Sequence, residues 1–459
     1  MTYIKNKSQL LSHGNLTLRR AVLDIIEHAL AGVDPYKATR DIVRLKSRVL
    51  SVGDLNFDLD THKRIFLLGG GKATYPIAKA LEEILGDRIT DGVVICKYGQ
   101  EGALRFSRML LASHPIPDEA GYQASLKAIE LAKQTKPGDI VFGCVTGGSS
   151  ALMPLPVPGV SLEEKKLVNM LLLTCGANIY EINAVRKHLS RIKGGKLAQA
   201  IHPDAHLINL TVSDVTNDEL DYITDPLVPD TSYFENARAT LTKYHLWNKV
   251  PESVQTYLKN AGANEETPKQ DDFADRSLQN FILVKSARIC DAAAEKAEEL
   301  GFNTMILSTT LEGESCELGR TFAAISKEIV SNHRPLSPPC AIIGGGETTV
   351  KIDGEFGSGG PNQEFALAAA CEIADMRQVL VAGIDSDGTD GPTDFAGGLV
   401  DGGTLMRAQD AGIDLHDSLR RHDVLRSLQD LDDIVETGAT GTNVNDLKML
   451  LVLPAEDPE

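Results

Sequence analysis

The stretch Ile65-Phe-Leu-Leu-Gly-Gly-Gly-Lys-Ala73 reads as a short apolar strand that runs into three glycines and a lysine. A helical pattern from Ala73 to Leu85 follows at once. Similar strand–glycine–helix junctions stand at Ile140-Val-Phe-Gly-Cys-Val-Thr-Gly-Gly-Ser-Ser-Ala151 and at Ala341-Ile-Ile-Gly-Gly-Gly-Glu-Thr-Thr-Val350. The third is continued by Gly357-Ser-Gly-Gly-Pro-Asn-Gln-Glu364, which opens a helix, and Gly438-Ala-Thr-Gly-Thr-Asn443 adds a further glycine turn. Glycine lets backbone N–H groups crowd around an anion, and a helix N-terminus adds about half a positive charge. One such junction is equally a plain β-turn; recurrence favours loops built for phosphate or carboxylate. None is a P-loop or a dinucleotide fingerprint.

Outward from these junctions, strands alternate with helices. Segments Gly92–Cys96, Met109–Ala112, Leu207–Val212, Ile282–Leu283 and Thr304–Leu307 read as strands. Tyr122–Gln134, Leu162–Leu173 and Ala287–Leu300 read as helices, and residues 16–50 as two amphipathic ones. Short buried strands in β–α alternation predict an α/β fold with a mainly parallel, Rossmann-like sheet covered on both faces. Residues 236–280 are polar and helical, a connection within the first domain. Proline residues 335, 338 and 339 then punctuate the chain before strands at Ala341–Ile343, Val350–Ile352, Val379–Ala382 and Lys448–Leu453. The expected division is therefore a larger domain over 1–330 and a smaller α/β domain over 335–459.

A chain of 459 residues exceeds what one core usually serves. Its net charge of −18 disfavours nucleic acid or an anionic membrane as partner but leaves room for a local anion site. Seven cysteines without C-x-x-C or metal-ligand spacing, and an N-terminus without a signal-peptide core, fit a reducing cytoplasmic setting. A homodimer is one assembly open to such a chain.

Four constellations carry chemistry. Lys72, behind Gly70 and Gly71, places a cation at a helix start, where it could neutralise a phosphoryl group; the plainer reading is a solvated turn lysine. Gly147, Gly148, Ser149 and Ser150 form a donor-rich nest, without the G-x-S-x-G elbow of a serine nucleophile. Asn183-Ala-Val-Arg-Lys-His-Leu-Ser-Arg-Ile-Lys-Gly-Gly-Lys196 concentrates positive charge; Arg186 is the preferred fork for an oxyanion, while Lys187, Arg191 and Lys193 fit a solvated helix face. Acids follow two strands: Asp214 in Ser213-Asp-Val, and Asp385, Asp387 and Asp390 in Asp385-Ser-Asp-Gly-Thr-Asp-Gly-Pro-Thr-Asp394. They could hold Mg²⁺, and Asp214 could act as base; the alternative is a string of Asx-turns. His114, before Pro115, is a weaker candidate, for which a structural hydrogen-bonding role is the plainer reading.

Taken in order, these motifs resemble the class II glycerate kinases with a C-terminal MOFRL domain, over nearly the whole chain. The resemblance rests on Gly69-Gly-Gly-Lys-Ala, His114-Pro-Ile-Pro-Asp, Thr146-Gly-Gly-Ser-Ser-Ala-Leu, Val185-Arg-Lys-His-Leu-Ser and Ser213-Asp-Val. It continues through Gly345-Gly-Glu-Thr-Thr-Val, Asn362-Gln-Glu, Asp387-Gly-Thr-Asp-Gly-Pro-Thr-Asp and Thr440-Gly-Thr-Asn-Val-Asn-Asp. It implies ATP- and Mg²⁺-dependent phosphorylation of D-glycerate to 2-phosphoglycerate, in a cleft between the two domains. Gly345, Gly346, Glu347, Asn362, Glu364, Thr440 and Asn443 become expected binding residues alongside Lys72, Arg186 and Asp214. Two positions depart from the family pattern. Pro361 stands where an arginine is usual, and Thr224-Asp-Pro226 replaces Ser-Gly-Pro. Both leave another sugar acid open as acceptor. A nicotinamide-dependent hydroxypyruvate reductase and a non-catalytic sugar-acid sensor are the rival readings.

Overall fold

The computed structural model describes residues 2–61, 64–215, 218–223, 225–352 and 354–455. The chain forms two compact units, one of Pro35–Leu283 and one of Met1–Asp34 with Val284–Glu459.

In the Pro35–Leu283 unit, β1 (Val43–Lys46), β2 (Val49–Val52) and β3 (Leu55–Asp58) make a small antiparallel meander. The second helix expected before residue 50 therefore stops at Ile42. Val43 and Val52 pair across the first hairpin and are both buried, a half-buried alternation that a strand satisfies and a helix does not. The main sheet contains β4 (Ile65–Gly70), β5 (Ile89–Lys97), β6 (Arg108–Ala112), β7 (Ile140–Val145), β8 (His206–Val212) and β9 (Ser277–Val284). Their order is β6-β5-β4-β7-β8-β9, and the pairings from β6 through β8 are all parallel. Every residue of β4 and β7 is buried, as expected of strands covered on both faces. From β4 the chain steps outward to β5 and β6, then returns to lay β7 on the other side of β4. The loops after β4 and β7 thus leave the sheet in opposite directions, which is the topological switch point where open α/β sheets bind ligands.

The other unit has β10 (Asn303–Leu311), β11 (Cys340–Gly346), β12 (Val379–Asp385), β13 (Gly397–Asp401), β14 (Ile434–Val435) and β15 (Asp446–Val452), in the order β10-β11-β15-β12-β13-β14. Only the β10–β11 pairing is parallel. Val350–Ile352 is irregular, not a strand. The helices Ser315–Asn332 and Pro361–Glu372 pack a core around Phe322 and Phe365, whose rings meet edge to face at 5.1 Å.

This division differs from the boundary expected near 330–335, for two physical reasons. β10 is hydrogen-bonded to β11, so residues 303–311 belong to the sheet of the later segment. The N-terminal helix Leu16–Gly32 belongs there too, because Arg19, fully buried, donates to Asp401 and Asp433 at 2.7 Å each. Asn6 Nδ2 adds a bond to the Ile434 carbonyl at 2.7 Å. Removing one partner from a buried ionic network leaves the others uncompensated. Arg19→Ala is expected to lower unfolding free energy by about 3–5 kcal/mol, read by urea titration; a loss under about 1 kcal/mol would mean that the N-terminal helix is not anchored through this ion pair.

Candidate functional site

Three loops converge beside the carboxyl ends of β4 and β7. Lys72 N–H donates to the Gly147 carbonyl at 2.9 Å, Thr146 N–H to the Gly70 carbonyl at 3.2 Å, and Ala73 N–H to Thr146 Oγ1 at 3.1 Å. Thr74, at the start of the helix Thr74–Leu85, donates its hydroxyl to the Cys144 carbonyl at 2.8 Å. The glycines are dictated by this closeness. A Cβ on Gly71, whose φ is +152°, would lie 2.1 Å from Thr146 Oγ1. At Gly148, left-handed with φ +86°, a Cβ would stand 3.1 Å from Lys72 Cγ and 3.3 Å from the His114 ring. Lys72, Gly148 and His114 are therefore neighbours. His114, a weaker candidate in the sequence, joins this loop cluster from the end of β6. Gly147, Gly148 and Ser150 remain half-exposed, whereas Ser149 is buried at the start of the short helix Ser149–Leu152.

The basic run 183–196 is not the solvated face that part of it resembled. Lys187 and Lys193 are each 1 % exposed. Lys187 Nζ donates to Asp221 at 2.5 Å and to Asp230 at 3.1 Å. Against the pull of burial, those acids hold its ammonium above the ordinary lysine value. Lys193 Nζ pairs with Asp225 at 2.8 Å, while burial holds its ammonium low. Asp225, part of the Thr224-Asp-Pro226 departure from the family pattern, is thus the counter-ion of a buried lysine; its neighbour Thr224 lies outside the described residues. Arg186, half-buried, bonds Asn169 Oδ1 at 3.3 Å through Nε, and burial lowers its pKa.

One buried cation escapes the motif reading. Lys165, in the helix Leu162–Thr174, shares its inward stripe with Val168 and Leu172. A lysine at an apolar-stripe position is the only signal the sequence offers for it. Asp214 stands half-buried just past β8.

The glycine cluster of the other unit takes a different role from the one expected. Gly345 and Gly346 lie inside β11, opposite Leu447 and Asp446 of β15, so their amides belong to a sheet. A Cβ at Gly345 would meet Cys290 Sγ at 2.6 Å, and one at Gly346 would meet the Leu311 backbone at 2.2 Å. Close packing explains these glycines without an anion; Glu347 beyond them is exposed. The helix beginning at Pro361 does bind a carboxylate at its N-terminus, but that carboxylate is the protein's own Asp390. Asp390 accepts from Asn362 N–H at 2.9 Å, Asn362 Nδ2 at 3.1 Å and Gln363 N–H at 2.8 Å. Asn362 also donates to Asp446, and Lys448 bonds both Asn362 and Asp446, all in the interior. Glu364 is buried against His422 at 2.6 Å, and burial raises its pKa.

Both oxygens of Asp390 therefore hold helix groups, a structural role at one of the positions expected to ligate Mg²⁺. Asp385 and Asp387 accept from Asp387 N–H and Thr389 N–H, the Asx-turn pattern. Thr440 donates to the Ser386 carbonyl, and Thr440 N–H to that of Asp387, so the 386–390 and 438–444 loops brace one another; Asn443 is buried among them. Among the described residues no three His, Cys, Asp or Glu side chains form a metal-binding group. Mg²⁺ on a nucleotide needs only one or two protein carboxylates.

Comparison with known proteins decides the family. A domain model described as a domain of unknown function (DUF4147) matches residues 21–259, and the MOFRL family model matches residues 340–446. The chain is 40% identical to a glycerate 2-kinase of Pyrococcus horikoshii over 95% of its own length and 98% of that protein. It is 38% identical to a D-glycerate 2-kinase of Thermotoga maritima over 95% and 99%. The chain belongs to the glycerate 2-kinase family. The solved structure of the Thermotoga maritima glycerate kinase superposes with a TM-score of 0.79 at 38% identity, covering 95% of this chain and all of that one. Family membership agrees with the mixed α/β architecture and with the MOFRL segment at residues 340–446. No helix among the described residues is long and apolar enough to cross a membrane.

Asp390→Ala is expected to lower unfolding free energy by about 2–4 kcal/mol, the loss of a helix cap plus unmade buried hydrogen bonds. An Asp390→Ala protein of unchanged urea midpoint but altered Mg²⁺ requirement would support the metal-ligand role instead.

Proposed function

We propose that this glycerate 2-kinase family member transfers the γ-phosphoryl group of ATP to the 2-hydroxyl of D-glycerate. The observation that carries the reading is the loop cluster at the β4–β7 switch point, where Lys72, the Gly147–Ser150 nest and His114 meet. Phosphoryl transfer asks little covalent chemistry of a protein and much charge stabilisation and positioning. Lys72, half-buried at the start of a helix, offsets charge on the transferring group. Gly147, Gly148 and Ser150, all half-exposed residues, offer two amides and a hydroxyl to its oxygens. Arg186 takes the acceptor's carboxylate. In the reaction the substrate's hydroxyl oxygen bonds to the γ-phosphorus, the bond from that phosphorus to the β–γ bridging oxygen breaks, and ADP leaves. The hydroxyl proton passes to a base, for which Asp214 and His114 are the candidates. Mg²⁺, when bound with ATP, neutralises phosphate charge, and Asp214 is the residue that would hold it.

Pro361 occupies the first turn of a helix whose amides already hold Asp390, so the proline takes no anion-binding amide from that helix start. The arginine charge usual at this position is absent, and in this reading Arg186 takes the acceptor's carboxylate alone. The free cysteines agree with a reducing, cytoplasmic setting.

The test is ADP formation across a panel of small hydroxy acids with ATP and Mg²⁺, the product position read by phosphorus NMR. D-Glycerate is expected to turn over best, giving the 2-phosphate. Oxidation of NADH by hydroxypyruvate without ATP would instead establish a reductase. Lys72→Ala is expected to lower kcat by roughly 10²–10³-fold, the loss of one preorganised charge-stabilising group, with an unchanged melting temperature. Full kcat in that variant would remove Lys72 from the reaction.

A further inference from the structure

Lys165 is 2 % exposed, and its ammonium has no hydrogen-bond partner among the described residues. Of the four side chains that act on it most strongly, Lys193, Arg186 and Lys196 are cations and only Asp225 is an acid. Asp225 Oδ2 accepts from Lys193, and its other oxygen, Oδ1, is buried with no hydrogen-bond partner among the described residues. Lys196 donates to the Ser190 carbonyl, which brings no compensating charge. Nearby, Lys187 is neutralised by Asp221 and Asp230, so those acids are engaged elsewhere. An uncompensated charge in a protein interior is strongly unfavourable, and the usual escape is to lose the proton. Burial first, and the neighbouring cations next, push the Lys165 ammonium down to about 7, at the edge of that escape. Groups enclosed in this way concentrate at functional sites, where a ligand can supply the missing counter-charge.

We propose that Lys165, together with Arg186 and Lys193, forms an internal subsite for a small oxyanion, with Asp225 Oδ1 accepting a hydroxyl of the same ligand. The unmet cation and the unmet acceptor complement a carboxylate or phosphate that carries an OH group. A hydroxy acid meets this description, and so does a singly protonated phosphate. This deepens the kinase reading by naming the group that grips the acceptor acid, and it rests on that reading for the ligand's identity. The two can nevertheless fail separately.

Lys165→Met keeps the side chain's length and removes its charge. A lysine held uncompensated for a ligand destabilises the protein without one, so Lys165→Met is expected to melt a few degrees higher than the parent when no ligand is added. Isothermal calorimetry with D-glycerate alone, and separately with inorganic phosphate, reads binding without any turnover. The variant is expected to bind the anion at least about tenfold more weakly, as loss of a charge-assisted hydrogen bond implies. A loss confined to D-glycerate assigns the subsite to the acceptor's carboxylate; a loss confined to phosphate assigns it to a phosphoryl group. Two outcomes overturn the proposal. One is a Lys165→Met protein that binds both anions as the parent does. The other is a variant that melts lower and keeps its anion response, the mark of a lysine bridged by water to Asp225 for structure alone. Kinase activity with unchanged anion binding in the variant would sink this subsite and leave the proposed function standing. Weakened anion binding in a protein without kinase activity would do the reverse.

Discussion

Thr146 ties the organisation of the candidate site together. Its amide donates to Gly70, its hydroxyl accepts from Ala73 and lies 3.3 Å from that of Thr74, and it is fully buried. These bonds fasten the loop after β7 to the loop and helix after β4, two strands that are neighbours in the sheet but far apart in the chain. A threonine there can do this only because Gly71 brings its backbone where no Cβ would fit. The half-exposed groups Lys72, Gly147, Gly148 and Ser150 are placed by that fastening.

Charge follows the same logic of enclosure. The protein carries a large negative excess, yet it buries lysines 165, 187 and 193 in one unit and Arg19 and Lys448 in the other. Four of these five have acid partners among the described residues: Lys187 with Asp221 and Asp230, Lys193 with Asp225, Arg19 with Asp401 and Asp433, and Lys448 with Asp446. Paired interior ions mainly fix geometry, since their attraction roughly offsets lost hydration. Lys165 is the exception, and exceptions of this kind concentrate where ligands bind.

Glycine-rich motifs that look alike in sequence divide into two kinds in the fold. After β4 and β7 the glycines let two loops touch and leave half-exposed residues beside a lysine. In β11 they let a strand lie against Leu311 and Cys290, and their amides are consumed by the sheet. The helix start at Pro361 is an anion site in the physical sense, since its amides hold a carboxylate, but Asp390 from the same unit already fills it. Periodicity and composition do not distinguish these cases, because a hydrogen-bond partner thirty residues away leaves no local trace.

The sequence by itself determined the α/β alternation, the positions of most strands and helices, the family, and the loops after β4 and β7 as candidate anion sites. Each of these rests on local patterning: apolar runs, glycine punctuation and ordered motifs. Only the tertiary structure decided that the N-terminal helix and β10 join the later unit, because Arg19 and the β10–β11 ladder are long-range contacts. It alone showed that His114 reaches Gly148, that Asp390 is a cap, that Asp225 pairs with Lys193, and that Lys165 is enclosed with no hydrogen-bond partner among the described residues. A residue's charge is written in the chain, but whether that charge meets water, a counter-ion or nothing depends on what the fold brings against it.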